Sequence, residues 1–549
     1  MKVSHDTPVL IIGAGPVGLA LALDLAWHGQ RSMIVEKAPE VGEVLAKAGG
    51  LNERTLEFCR RWGIKEQVYD WGQPQDYPRD TAFCVSLAGQ YIGRDPLPSL
   101  KDWPERDSSP EKWRKCPQYI FDPILAEAAL KTGLVDIHYE GEMLSFTQDE
   151  NGVTATVAFK GEQEPHQVRA SYMVGCDGAA SQVRQALDIP FEGKTLDHSL
   201  SLMLKIDHLE RYHDMGRCER FMFVGTEGTW ANMTSVDFMQ LWRFTMVGSE
   251  DRLDPSKMDL PAIVRRAFGR DDIPFAILRT APWRRSQCAA TRYRSGRVLI
   301  AGDAAHTTSP TGGHGLNTGL GDVFGLGWML DAMLCGWGGP HLLDAYGQER
   351  RSVAIRNASS STRNYQAWVG GSPDFSRVKD IGPDGDAARE RLTEHFVRML
   401  YPEWHSYGIA MGYRYDDSPI IVPDGTPADP DDPSQYLQTA RPGHRAPHAW
   451  LEPDRSTIEL FGHGFVLLRF DSTVEVTALE TEANRAGLPL TVVTLDRPDI
   501  AALYEKRLCL VRPDGHSAWR GDALPPNVKR LVDRVRGALA PHFEPQTAE

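Results

Sequence analysis

The sequence predicts an α/β chain: a parallel-sheet domain of the Rossmann-like kind, an antiparallel sheet inserted into it, and a small α/β unit at the C-terminal end. Three observations carry this. A compact apolar strand at 8–12 runs straight into Gly13-Ala14-Gly15-Pro16-Val17-Gly18. Between 189 and 283, strand-like runs separated by turn signals such as Glu227-Gly228 replace the strand–helix rhythm. Beyond a Pro/Asp-rich stretch at 419–433, which reads as a linker, strands at 465–470, 490–494 and 508–511 accompany a helix at 474–486. At 549 residues the chain is too long for one simple core.

Bulk composition narrows the function classes. The net charge of −14 argues against nucleic acid or an anionic membrane as the main partner, though a local basic pocket can still take a small anion. Eight cysteines are scattered with no Cys-x-x-Cys and no His pairing at metal-ligand spacing, as expected of reduced thiols in a cytoplasmic protein without a structural metal. The apolar stretch 9–23 lacks a basic leader and is broken by Asp24, so it does not read as a signal peptide. No run is long enough to span a bilayer.

At the start of the chain, Gly13 makes a tight turn, Gly15 lets backbone approach a pyrophosphate, and Gly18 lets helix pack on strand. Pro16 opens the helix, Gly29 ends it, and a second strand at 31–35 closes on Glu36-Lys37. Glu36 sits where an acid accepts ribose hydroxyls. Strand, motif, helix, strand and acid together make a dinucleotide fingerprint that does not distinguish FAD from NAD.

Residues 52–62 read as an amphipathic helix capped by Asn52, with Arg54 in a first turn that disfavours cations unless a phosphate or solvent meets it. Residues 81–92 resemble a hairpin, and Cys116-Pro117-Gln118 leads to a helix at 122–132. A strand at 168–174 ends in Gly175-Cys176-Asp177-Gly178, where Ser181 caps the helix holding Arg184. In the inserted sheet, Trp242, Phe244 and Met246 point one way and Arg243 and Thr245 the other. A buried strand at 298–301 stops at Gly302-Asp303. The loop Pro310 to Gly313 then feeds an apolar helix through His314, Gly315, Leu316 and Asn317.

The three glycine-rich stretches, in this order and each at a strand end, resemble the signature motifs of class A, single-component, FAD-dependent aromatic hydroxylases. The resemblance covers residues 7 to about 366. Leu510 to Arg520, Arg441-Pro442-Gly443 and Gly462-His463-Gly464-Phe465 resemble the thioredoxin-like tail of the phenol and hydroxyphenylpropionate hydroxylase branch. The implied architecture is para-hydroxybenzoate hydroxylase-like. Its nucleotide-binding domain lies at 1–78, 111–189 and 286–366, its substrate sheet at 79–110 and 190–285, a helical connector at 367–420 and the tail at 421–549.

The resemblance implies tightly but non-covalently bound FAD, NADH or NADPH as reductant, and O₂. Reduced FAD would form a C4a-hydroperoxide that hydroxylates a small phenolic substrate, in aromatic catabolism or on a polycyclic polyketide. It implies a homodimer as well. Gly13, Gly15, Pro16, Gly18, Glu36 and Lys37 would hold the adenosine and pyrophosphate end. Lys47, Arg54 and Gln118 match positions near the pyrophosphate and ribityl chain. Gly302 and Asp303 would bind the ribityl chain, and Pro310 would lie by the isoalloxazine. Gly313, Gly315, Leu316 and Asn317 would serve the ring's pyrimidine edge, while Asp177 and Arg184 belong to a motif used for both FAD and the nicotinamide cofactor. Lys47 stands where an Arg is common, and His314 where Gln or Lys is frequent, which puts there either a titratable ring near the flavin or a solvated loop histidine; His314 and Pro310 are the catalytic candidates. Tyr212, Trp230 and Arg243 are the substrate candidates. A flavin-dependent halogenase would carry Trp-x-Trp-x-Ile-Pro, and no two tryptophans here are two apart. A non-catalytic FAD-binding protein is the remaining rival.

Overall fold

The computed structural model describes residues 3–40, 49–369 and 373–540. Its first sheet has parallel strands Val135–His138, Ser32–Val35, Val3–Ile12, His166–Gly175 and Val298–Ile300 side by side. The register aligns their ends: Ile12 pairs with Val35 and with Gly175, and Gly175 pairs with Ile300. The chain therefore leaves the sheet at Gly13, Glu36, Cys176 and Ala301 along one edge, where ligands of open α/β sheets bind. An antiparallel hairpin, Gly141–Gln148 with Val153–Phe159, extends the sheet from the His166–Gly175 strand. Leu10, Ile11, Leu19 and Leu299 are fully buried in this core.

The second sheet is longer than its sequence suggests. Its order is His306–Thr307, Ala276–Ala290, Phe191–Lys205, Leu241–Ser249, Gly228–Ser235, Arg220–Gly225, Thr81–Cys84 and Tyr91–Asp95. The 81–92 hairpin joins it by parallel pairing of Arg220 to Phe223 with Thr81 to Cys84. The Phe191–Lys205 and Ala276–Ala290 strands, paired along their length, run from this sheet back to the first domain, and Ala289 pairs there with His306. One face packs Leu202, Phe223, Trp242 and Phe244 on the Leu260–Phe268 helix. The other meets helices Leu342–Val369 and Pro383–Trp404, with Phe83, Trp368 and Phe396 between them.

The C-terminal sheet has the order Leu490–Thr494, Phe465–Arg469, Leu508–Val511, Ser517–Gly521, the first pair parallel and the rest antiparallel. The stretch read as a linker holds no helix or strand, yet it is not loose. Ile420 and Ile421 are buried, Val422 N donates to Ala518 O (2.9 Å), and Arg520 pairs with Asp424 (2.6 Å). Two buried ion pairs fasten this unit to the rest: Arg512 with Glu349 (2.6 Å), and Arg445 with Glu57. Removing one partner of such a pair strands a buried charge, which makes the seam specific as well as tight. No described helix is long and apolar enough to cross a membrane.

Candidate cofactor and substrate site

The strand-end loops fit a dinucleotide. Gly13 adopts φ +107°, and a Cβ there would stand 2.6 Å from the Cys176 carbonyl oxygen; one at Gly18 would stand 2.0 Å from the Gly13 oxygen. Packing within the chain explains both. Around Gly15, by contrast, a Cβ would meet nothing within 4 Å, so open space lies against the turn where a pyrophosphate would approach. The Pro16–Trp27 helix starts there with no side-chain cap and no acidic residue in its first turn, leaving its N–H groups and dipole for an anion. Glu36 accepts from the backbone N–H groups of Ala14 and Ala38 (2.7 Å each), which presents its carboxylate beside the turn; Lys37 is exposed next to it.

Asp303 is exposed in a short turn, Gly302–Ala304, at the end of the Val298–Ile300 strand. Pro310 is exposed as well, in a turn closed by Gly313 N donating to its carbonyl (3.0 Å). The His314–Leu334 helix begins at Gly313 (φ +70°), again with no side-chain cap and no acid in its first turn. Its free N–H groups around Gly315 and Leu316 suit negative charge on a reduced ring edge. The residues present fit FAD.

Several candidates act differently from expectation. Asn317 spends its side chain within the protein: its Oδ1 accepts from Asn52 N (3.0 Å) and Thr55 Oγ1 (2.8 Å), and its Nδ2 donates to Gly50 O (2.9 Å). It knots the two helix starts together. Arg54 is neither solvent-exposed nor aimed at a phosphate by these bonds. Burial among carboxylate and carbonyl acceptors takes it to Glu57 (2.8 Å), the Tyr413 hydroxyl and the Asp514 carbonyl at the C-terminal seam. Gln118 lies inside a helix that starts earlier than expected, Gln118–Lys131, and donates to Asp122 (3.0 Å). Arg184 stacks on Phe191 and donates to the carbonyls of Ala179 and Ala304 (3.2 Å each), tying the Asp177 loop to the Asp303 turn. Asp177 accepts from Val183 N, while its Oδ1 is buried without a partner. Lys47 lies outside the described residues.

His314 is a correction of a second kind. Its ring turns inward, 6% exposed, and burial followed by the Arg356 charge lowers its pKa to about 4. It is a neutral buried ring near pH 7, not a titrating group on the loop surface.

The substrate candidates separate onto two faces. Trp230 packs on Phe223 and Phe244 beneath Arg266, and Tyr212 lies against the same cluster, so both belong to the Leu260–Phe268 side. A register shift between Phe223 and Val224 turns Trp230 there. Arg243 is on the opposite face, paired with Met203 and Thr234, beside a lateral row of Ser201, Thr245 and Asn232. Trp283 Nε1 donates to Ser201 Oγ (2.9 Å) in this row.

Arg285 continues the same face, and the sequence reading missed it because no strand was read at 276–290. Its Nε donates to Asp197 (3.2 Å) and its Nη1 to Ser309 (2.9 Å) and Thr311 (3.3 Å), the residues either side of Pro310. Tyr365 donates to Asp197 (2.6 Å) from the Leu342–Val369 helix. One buried arginine thus sets the Pro310 turn against the polar sheet face.

With this geometry in view, comparisons with known proteins converge. The family described as "FAD binding domain" matches residues 6–361, and "Aromatic-ring hydroxylase, C-terminal" matches 439–542. Tetracenomycin B2 monooxygenase-dioxygenase of Streptomyces olivaceus is 32% identical, the alignment covering 96% of this chain and 98% of that one. Phenol 2-monooxygenase of a Pseudomonas species is 29% identical over 98% of this chain and 93% of its own. Among solved structures, the rebeccamycin biosynthetic enzyme RebC, soaked with chromopyrrolic acid and holding 7-carboxy-K252c, has a TM-score of 0.90 at 36% identity, over 97% of this chain and 100% of that chain.

Two outcomes follow from the site. Asp303→Ala is expected to raise the Kd for FAD about tenfold, the loss of one hydrogen bond to a charged group; full flavin occupancy and unchanged affinity on titration of the apoprotein would contradict that role. For His314, the folded pKa lies below the unfolded one, so the unfolded chain binds the extra proton and stability falls as pH drops from 6.5 towards 4. His314→Gln should therefore lose about 2 kcal/mol less than the parent between pH 7 and 5 in urea unfolding. Its pH profile of turnover between pH 6 and 9 should keep its midpoints; a displaced midpoint would restore His314 to the chemistry.

Proposed function

Because the chain belongs to the class A FAD-dependent aromatic hydroxylases, we propose that it uses electrons from NADH or NADPH to hydroxylate a fused-ring aromatic substrate carrying an anionic group. FAD, when bound, supplies reduction of O₂ and delivery of one oxygen atom to the ring. The protein's part is to hold the ring on the sheet face, exclude water and place charge. The observation that carries the substrate class is Arg243. Burial, then the like charges of Arg220 and Arg285, pull its pKa down to about 10 against the carboxylate of Glu219, so at neutral pH it is a cation on the polar sheet face. A substrate carboxylate or phenolate there would take a charge-assisted contact from the guanidinium and fix the ring's orientation.

Thr245 and Ser201, joined at 3.0 Å, and Asn232 next to them offer hydrogen-bond partners along the ring edge. The Arg285 clamp keeps Pro310 and the His314–Leu334 helix start at a fixed distance from that face. Full-length relatedness to enzymes of tetracenomycin and rebeccamycin chemistry supports a polycyclic substrate. In the C-terminal unit the strand order supports a thioredoxin-like reading. That unit has a lone cysteine, Cys509, buried, so its part is structural.

The test is NAD(P)H oxidation by the flavin-loaded protein across fused-ring carboxylic acids, their decarboxylated counterparts and single-ring phenols, with peroxide release read in parallel. Stimulation by the fused-ring acids with little peroxide is expected, and Arg243→Gln should raise their KM about tenfold with a smaller change in kcat. Stimulation by single-ring phenols alone would replace this reading with phenol hydroxylation, and stoichiometric peroxide with every compound would remove hydroxylation of this class.

A further inference from the structure

A cavity of about 200 Å³ lies away from the sheet edge. It opens where the Glu53–Arg61 helix meets the C-terminal unit. Its Trp27 wall is at the far end of the Pro16–Trp27 helix, about 18 Å from the glycine turn by helical rise. Its walls are of two kinds. Trp27, Phe58, Phe461 and Ile458 supply apolar surface, and four guanidinium groups stand against two carboxylates, Glu57 and Glu459.

Both carboxylates are already taken. Glu57 is shared by Arg54 (2.8 Å) and Arg445 (3.1 Å), and Glu459 pairs with Arg60. Arg61 is left over. It makes no ion pair among the described residues; its Nη2 donates to the carbonyls of Phe461 (3.3 Å) and Pro513 (3.1 Å), and its guanidinium lies over the rings of Phe58 (4.3 Å) and Trp27 (5.4 Å). Burial pulls its pKa down to about 10. The carboxylates of Asp24, Asp514 and Glu57 act on it without closing an ion pair and do not offset its burial, so an anion in direct contact would stabilise the charge further.

We infer that this seam cavity binds a small monocyclic aromatic carboxylate, its carboxylate on Arg61 and its ring between the Phe58 and Trp27 side and the Phe461 and Ile458 side. Size agrees: a dry cavity of about 150 Å³ holds benzene. So does chemistry, since a guanidinium takes a carboxylate in a planar, two-point contact and the ring covers apolar wall that is otherwise wet. This site is independent of the substrate class proposed above.

Benzoate is the probe. Calorimetric titration of the FAD-loaded protein is expected to show one benzoate site whose Kd rises about tenfold or more in Arg61→Gln, as loss of a charge-assisted contact requires. Ile458→Trp, which fills the cavity without touching the cation, should abolish the same event. Flavin content equal to the parent's in both variants certifies the fold. Absence of benzoate binding in the parent, or binding that survives both substitutions, overturns the inference. Binding that is lost in Arg243→Gln but kept in Arg61→Gln and Ile458→Trp overturns it too, by placing benzoate on the sheet face.

Discussion

The carboxylate of Asp322 is the contact on which the site depends. It is fully buried in the His314–Leu334 helix, and it accepts from three directions: Gly302 N (2.9 Å) and His306 Nε2 (2.8 Å) on Oδ2, and Arg350 Nε (2.9 Å) on Oδ1. Burial alone would push its pKa up, but the His306 and Arg350 charges outweigh that and hold the carboxyl below its ordinary value. One ionised group thereby sets three elements: the strand end before Asp303, the helix whose start carries Gly315 and Leu316, and the Leu342–Val369 helix. Arg350 carries the link further, to the Tyr415 hydroxyl (3.2 Å) and the Thr318 carbonyl (3.1 Å). Because both carboxylate oxygens accept directed bonds from three separate elements, the arrangement fixes one geometry, where an apolar core would tolerate several.

Around this hub the protein solves a geometric problem. In the proposed reading a flavin ring would lie between a helix start in one domain and a sheet in another, and those two must not slide. The two long strands, Phe191–Lys205 and Ala276–Ala290, prevent sliding by running continuously from one domain into the other. Arg285 then bolts the Pro310 turn to the sheet, and Asn317 bolts the helix start to Asn52. The C-terminal unit closes the back of this assembly through Arg512 and Arg445.

What the sequence made legible was whatever depends on local chemistry. Glycines forced by close approach, at Gly13 and Gly18, and caps such as Ser181 on Arg184 N (2.9 Å) and Asn52 on Thr55 N (2.9 Å) stand as read. So does the alternation that sends Trp242 and Phe244 one way and Arg243 the other. Hidden were features set by long-range pairing. Asp322 sits within an apolar run and looks like a tolerated polar residue until His306 and Arg350 are brought to it. Arg54 reads as a phosphate-bound or solvated cation because its partners, Tyr413 and Asp514, lie hundreds of residues away. Trp230 changes face through a register shift that no periodicity reports.

The most direct measurement is the flavin-to-protein ratio and thermal stability of Asp322→Asn, which keeps the side chain's shape and removes its charge. If the carboxylate organises the site, the variant folds with a lower melting temperature and leaves purification largely without FAD. An Asp322→Asn protein that is as yellow and as stable as the parent would contradict the account.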